Sequence, residues 1–243
     1  MDMSDNSQDV KEFYDDDAAT YDERFETEAG DRDDAIHQEV VQSFMNSLDP
    51  DARLFELGCG TGRFTATMTA NSRSVAATDI SREMLKQTRE EVSNDAFLDI
   101  VQADVSELPY REGSFDAGIM INVLGHLPDP QSAFAEISRI LGDNGKILFN
   151  YPNLFSLYFP IGVYVNARER SIHGDVYTHW YTEREIHQLL ETAGLQEVER
   201  FGHVHTPRRD VPVVTPVLER LDRATRQSGF KKIAPVQFVI GEL

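Results

Sequence analysis

Apolar positions along this chain change period repeatedly, from the three-to-four spacing of helices to the unbroken runs of buried strands. From Asp33 onward, Ile36, Val40, Val41, Phe44 and Leu48 recur at helical spacing, with Asp33 or Asp34 as N-cap and Pro50 as the stop. After this helix the two periods alternate. ARLFELG predicts a strand and GRFTATMTA a helix; SVAATDI is the next strand and SREMLKQTREEV the next helix, with Ser81 as its cap. FLDIVQAD follows as a strand, then the loop VSELPYREGS, then FDAGIMINVL, whose apolar run suits a strand buried on both faces. PQSAFAEISRILG predicts a helix closed by Gly142, GKILFNYP a strand, and TEREIHQLLETAGL a helix capped by Thr182 and ended by Gly194. QEVERFG and VQFVIGEL complete seven strands. Such alternation predicts an α/β fold built on a doubly wound sheet, with a ligand at the carboxyl ends of the central strands. At 243 residues one sizeable domain is expected, 33–243, preceded by a distinct segment over 1–32.

Charge separates that first segment from the rest. The chain has 42 Asp+Glu against 23 Lys+Arg, a net charge of −19, and residues 1–40 alone supply −12 of it. Only five basic residues are lysines: Lys11, Lys86, Lys146, Lys231 and Lys232. This balance excludes a general nucleic-acid binder, which needs clustered cations for phosphates, and an acidic, lysine-poor surface suits a salt-rich cytoplasm. The start MDMSDNSQDVKEFYDDD lacks a basic n-region and an apolar core, so no signal peptide is expected. LFSLYFPIGVYV, the longest apolar run, is broken by Pro160 and Gly162 and is too short to span a bilayer. Cys59 stands alone, which rules out an intramolecular disulfide. These features predict a soluble, cytoplasmic protein.

The chemistry concentrates after the first strand, in FELGCGTGRF. Gly58, Gly60 and Gly62 give G-x-G-x-G; a dinucleotide fingerprint needs its third glycine where this chain has Arg63, and no Lys-Ser/Thr pair follows as in a P-loop. The loop therefore reads as a nucleotide-type site without a pyrophosphate. Strand two ends at Asp79, where a carboxylate can accept both hydroxyls of a ribose. Strand three ends in QADVSELPY, where Asp104 can accept from an exocyclic amine and Val105 can cover an adenine face. Together these describe an adenosine site.

Here the sequence resembles the class I S-adenosylmethionine-dependent methyltransferases of small-molecule type. FELGCGTGRF looks like their first motif, ATDIS their second, QADVSELPY their adenine loop, and GSFDAGIMINVLGHLPDP with RILGDNGKILFNYPN the two strands that follow; the likeness covers about residues 10–200. It implies a Rossmann-like seven-stranded sheet closed by an antiparallel last strand, VQFVIGEL, under an N-terminal helical lid that carries Tyr14 and Tyr21. S-adenosyl-L-methionine is the implied cofactor. The resemblance assigns its methionine end to Glu56 and the Gly58–Gly62 backbone, its ribose to Asp79 and its adenine to Asp104 and Val105, with Tyr21, Cys59, Ile80 and Asn122 as further contacts. As an alternative, Cys59 is a small buried filler of the loop, and both aspartates are turn formers.

Methyl transfer needs no protein nucleophile, only alignment and exclusion of water, plus a proton acceptor when the substrate is an alcohol or phenol. His126, in NVLGHLPDP, is the candidate base, with a packing role for the same residue as the alternative. The H-x-H pair His203 and His205 lacks identifiable partner ligands, so no metal is expected. Residues 151–181 hold eight aromatics, among them Tyr151, Tyr177 and Trp180, a density suited to an acceptor pocket or to a plain helical cover. Between 200 and 232 eight cations face three acids. Arg208 and Arg209 there suggest docking of an anionic acceptor or peripheral contact with an anionic membrane; a solvated helix is the alternative. The expected partner is a small-molecule acceptor, methylated on oxygen: a sugar acid of a surface glycan or a quinone precursor. A non-catalytic cofactor-binding protein, or a methyltransferase for protein or tRNA, remains the alternative.

Overall fold

A computed structural model describes residues 3–70, 74–92, 97–156, 178–203 and 232–243. Its centre is a seven-stranded sheet: β1 (Leu54–Leu57), β2 (Val75–Asp79), β3 (Leu98–Gln102), β4 (Phe115–Met120), β5 (Leu141–Pro152), β6 (Gln196–His203) and β7 (Val236–Glu242). The order is β3-β2-β1-β4-β5-β7-β6, with the first five strands parallel and β7 antiparallel to both of its neighbours. Strand order reverses between β1 and β4, which opens a crevice at their carboxyl ends.

Helices cover both faces. Around Phe44, Met45, Phe64 and Met68, α2 (Glu28–Asn46) and α3 (Arg63–Thr69) pack on one apolar cluster, while α4 (Arg82–Glu91) covers β2 and β3. On the opposite face, α5 (Pro130–Ile140) and α6 (Glu183–Thr192) enclose a cluster that includes Phe134, Ile137, Ile186 and Leu190. Both β1 and β2 are buried at every residue, which is why LFEL and VAATD read as continuous apolar runs despite Glu56 and Asp79.

Local chemistry explains the element ends. Ser81 Oγ accepts from Met84 N at 3.1 Å to cap α4, and Thr182 forms a reciprocal capping box with Glu185 on α6. Gly194 ends α6 with a φ of 75°. Two sequence expectations are corrected. α2 begins at Glu28, with Thr27 rather than Asp33 or Asp34 as cap, because the Thr27 hydroxyl accepts from Gly30 N at 3.0 Å; the helix runs unbroken through residues 32 and 33. α5 is not closed by Gly142: Leu141 already has extended backbone and starts β5. A further helix, α1 (Met3–Asp17), precedes α2 in the segment where the resemblance implies a helical lid.

Of the eight cations between 200 and 232, only Arg200 and Lys232 fall among the described residues. Arg200 is buried in β6, its guanidinium on Tyr151 Oη at 2.5 Å and on Glu197, so it serves the core and not a surface patch. No described helix is long and apolar enough to cross a membrane.

Gly118 on β4 tests the packing. A Cβ there would stand 2.4 Å from the fully buried Phe55 ring. Gly118→Ala is expected to cost about 1–3 kcal/mol by overpacking, lowering Tm by roughly 2–4 °C per kcal/mol in calorimetry; an unchanged Tm would show that the β1–β4 contact is slack.

Candidate active site

The chain leaves β1 through three left-handed glycines, Gly58 at φ 69°, Gly60 at 56° and Gly62 at 94°. Gly58 N and Cys59 N both donate to Thr78 O, at 2.7 and 3.0 Å, and Gly60 N donates to Asp79 Oδ2 at 2.9 Å. The loop is thus strapped across the end of β2. At position 58 space also demands glycine, since a Cβ would lie 2.2 Å from Val123 Cγ2. A Cβ on Gly60 would meet nothing within 4 Å, so backbone is bared there to a ligand.

Gly58, Gly60 and Asp79 line one cavity at the carboxyl ends of β1 and β2. Asp79 is 8% exposed; its other oxygen accepts from Ser81 N at 2.8 Å. Burial raises its pKa, opposed by the amides of Ser81, Gly60 and Ile80. Beyond these three amides the carboxylate keeps acceptor capacity, which suits a ribose hydroxyl. Asp104 also lines the cavity, and its Oδ1 accepts from Ser106 N and Oγ at 2.9 and 2.7 Å. Ile80 and Val105 add apolar wall, and Asn122 and His126 stand on the β4 side.

Over this cavity lies α1, with Tyr14 in its wall and 6.2 Å in ring centroids from Tyr21 and 5.9 Å from His126. Asp15 reaches across to α4, accepting from Ser81 Oγ at 2.6 Å and Glu83 N at 3.2 Å. Asp22 accepts from Thr61 Oγ1 at 2.9 Å. The cover is therefore pinned to the glycine loop and to the helix after β2. Burial pushes both the Tyr14 and Tyr21 hydroxyls well above the usual phenol range, so both stay protonated at neutral pH and neither is a base. His126 ends a 3-10 turn, Leu124–His126, and is the imidazole of the wall. Gly125 has a packing reason: its Cβ would stand 3.2 Å from Pro152 Cγ.

Other expected site residues sit elsewhere. Glu56, Cys59 and Gly62 lie behind the loop and not in the cavity wall. The Cys59 thiol is buried, 3.6 Å from Thr88 Oγ1 and raised in pKa by burial, as befits a small filler of the loop; Gly62 caps α3. Tyr151 is 1% exposed and Arg200 holds its hydroxyl, and Trp180 is half-buried outside the wall, so neither builds the acceptor pocket expected of them. Tyr177, Arg208 and Arg209 lie outside the described residues, as do His205 and the His203 side chain. Among the described residues no three His, Cys, Asp or Glu side chains gather as a metal site. Ser7, Val10, Met84, Ile121, Val123, Leu127 and Pro128 complete the wall without having been anticipated. The Val10–Tyr14 spacing of four on a helix was the available signal.

Glu56 tests whether the site fits S-adenosylmethionine. It is 2% exposed, accepts from Thr65 Oγ1 at 2.5 Å, and is pushed up to about 8 by burial, with the Asp79 charge adding to the shift. No cation accompanies it among the described residues, so a carboxylate whose charge awaits a partner lies behind the loop. A cation bound on the far side of the loop, such as the ammonium at the methionine end of the cofactor, would favour its charged form through space, and the acidic lining suits a sulfonium as well.

Comparison with known proteins agrees with this geometry. Residues 55–149 match a family model described as a methyltransferase domain. The malonyl-[acyl-carrier protein] O-methyltransferase of Geobacter sulfurreducens is 26% identical over 203 residues, 77% of this chain and 73% of that protein. The ubiquinone biosynthesis O-methyltransferase of Xanthomonas axonopodis pv. citri is 28% identical over 170 residues, 67% and 71% of the two chains. Three other curated relatives, at 32–37% identity, are matched over only 28–39% of their own length. A SAM-dependent methyltransferase from Thermotoga maritima superposes with a TM-score of 0.69 over 96% of this chain and 98% of that one, at 16% identity, a likeness of fold. Residues 55–149 are thus a methyltransferase domain by that family model, set in a sheet with the Rossmann-like fold of the class I methyltransferases.

Glu56 gives a pH test on the cofactor-free protein. Its folded pKa, about 8, exceeds the ordinary 4.5, so its contribution to stability is complete below about pH 4.5 and is lost as pH rises through about 8. Glu56→Gln, neutral throughout, is expected to match the parent in Tm near pH 5 and exceed it at pH 8.5, by on the order of 5 kcal/mol at most. A difference that does not change with pH would refute the raised pKa.

Proposed function

We propose that the protein is an S-adenosylmethionine-dependent methyltransferase that methylates oxygen on a small anionic or lipid-linked acceptor, a sugar acid of a surface glycan or a quinone precursor. The observation that carries the reading is that Asp79 and His126 open onto one cavity beneath the same cover, α1. A ribose anchor and a neutral-pH base then serve one reaction. Oxygen as acceptor atom draws support from the two curated relatives named as O-methyltransferases.

When bound, the cofactor supplies an electrophilic methyl group. The residues of the chain do the rest. Asp79 holds the ribose, Asp104 and Val105 the adenine, and the bared Gly60 backbone lets the ligand lie close. α1 excludes water through Val10 and Tyr14, which matters because a sulfonium exposed to solvent loses both alignment and electrostatic support. The acceptor oxygen forms its bond to the methyl carbon as the carbon–sulfur bond breaks, and for an alcohol or phenol the hydroxyl proton passes to the His126 imidazole. A carboxylate acceptor has no proton to lose and bypasses His126. The Tyr14 and Tyr21 hydroxyls, held protonated, donate hydrogen bonds and take no proton.

The purified protein, incubated with methyl-labelled S-adenosylmethionine and fractionated cell extract at high and low salt, is expected to place label in a glycan or lipid fraction. Asp79→Ala removes charge-assisted bonds to the ribose worth about 1.5–3 kcal/mol each, so it should weaken cofactor binding by at least tenfold in calorimetry and abolish labelling. Label confined to protein or RNA would replace the small-molecule acceptor, and cofactor binding with label nowhere would favour a binding protein. Failure of the parent to bind cofactor would overturn the reading entirely.

A further inference from the structure

The chain turns off β4 at Asn122, whose backbone is left-handed with φ 60°. A residue with a side chain adopts that region only when its surroundings impose it, and such positions gather at functional sites. The surroundings here are one side chain. Asn150, on β5 and 2% exposed, accepts from the Asn122 backbone N–H through Oδ1 at 2.6 Å and donates through Nδ2 to Asn122 Oδ1 at 2.9 Å. Because a backbone N–H can only donate, the atom of Asn150 that faces it is fixed as oxygen, which turns the Asn150 nitrogen toward the Asn122 side chain. One buried amide therefore grips the main chain and the side chain of Asn122 together.

Downstream, the turn is anchored by other means. Val123 abuts Gly58, Tyr181 Oη donates to Leu124 O at 3.2 Å, and His179 N donates to Gly125 O at 2.7 Å. Those contacts hold residues 123–125 once the chain has arrived, but its direction of departure from β4 is set at Asn122. We infer that Asn150 is a positioning residue for methyl transfer, acting through Asn122 to aim residues 122–126 and so to place His126 against the acceptor. The inference rests on the methyltransferase reading of the cavity. Asn150 itself lies outside the cavity wall and touches no ligand.

The test crosses Asn150→Ala with Asn122→Gly, since glycine takes a left-handed φ without help. Hydrogen exchange of the 120–127 peptide in the full chain reads the turn without needing an acceptor. Asn150→Ala is expected to speed exchange there by roughly tenfold, the size of one lost hydrogen bond, while the β7 peptide 236–242, paired with β5, is unmoved. With an accepted substrate, kcat should fall by roughly 10²-fold, the cost of about 1 Å of misplacement, with cofactor Kd little changed. In the Asn122→Gly background the same substitution should cost less in both readouts, because only the main-chain bond is left to lose and glycine takes the left-handed φ unaided, a coupling that independent sites do not show. Unchanged exchange at 120–127, equal losses in both backgrounds, or loss of cofactor affinity parallel to kcat would each overturn the inference. Should Asn150→Ala fail to fold, Asn150→Thr, a good strand former without the amide, is read by the same criteria. A parent that neither binds nor turns over cofactor would sink the proposed function instead, and that is visible without any variant.

Discussion

The bond from Gly60 N to Asp79 Oδ2 joins the two features on which the cavity depends, a loop of left-handed glycines and a buried carboxylate. Three alternating residues at positive φ have little intrinsic reason to keep one shape, because glycine loses more freedom on ordering than any other residue. The loop is fixed from outside, by the carbonyl of Thr78 and the carboxylate of Asp79, both at the end of β2. Its geometry is therefore a consequence of the parallel register between β1 and β2, Leu57 opposite Thr78. Burial raises the Asp79 pKa, and the amides it collects from Ser81, Gly60 and Ile80 oppose that rise. Loop and carboxylate stabilise each other, and the ligand surface is what their pairing leaves free.

This arrangement concentrates negative charge. Glu56 and Asp79 sense each other, both are raised by burial, and Asp15 adds a third carboxylate at Ser81. Such a cluster works against the fold when nothing cationic is bound and in favour of it when something is. Binding and stability are then linked through the same groups. The cover is tied into that linkage, because Asp15 caps α4 from α1 and Asp22 meets Thr61 of the loop. α1 has few apolar residues of its own to bury, so its position depends on these polar ties more than on packing.

The centre of the sheet was legible because β1, β2 and β4 are short, mostly apolar runs, which in a parallel sheet buried on both faces need no alternation. The loop and the two aspartates were legible because they follow successive strands at the same end of the sheet. Element limits set by side-chain hydrogen bonds were harder to read. Thr27 outcompetes two aspartates as the α2 cap because its hydroxyl reaches Gly30 N, and nothing in local composition separates the three. Aromatic density in the stretch after β5 did not by itself tell core from pocket: Tyr151 faces the core and holds Arg200, the Tyr181 hydroxyl donates to the Leu124 carbonyl, and Tyr158, Phe159, Tyr164 and Tyr177 lie outside the described residues. The Asn122–Asn150 pair was invisible, since two asparagines 28 residues apart become partners only through the register of β4 and β5.

The lining also constrains the acceptor. Among the described residues the cavity wall contains Asp79 and Asp104 but no lysine or arginine. An anion entering there meets like charge in a partly desolvated space, a costly approach, whereas a neutral hydroxyl meets hydrogen-bonding groups and an imidazole. A negatively charged acceptor is therefore accommodated best with its reacting oxygen inside, beside His126, and its charge held several bonds away. That division fits a phenol or sugar hydroxyl on a larger anionic molecule better than direct esterification of a carboxylate. Under the proposed function it would also give His126 work to do: a hydroxyl would shed its proton as it is methylated, and with both tyrosines held protonated the imidazole of the wall would be the group to take it.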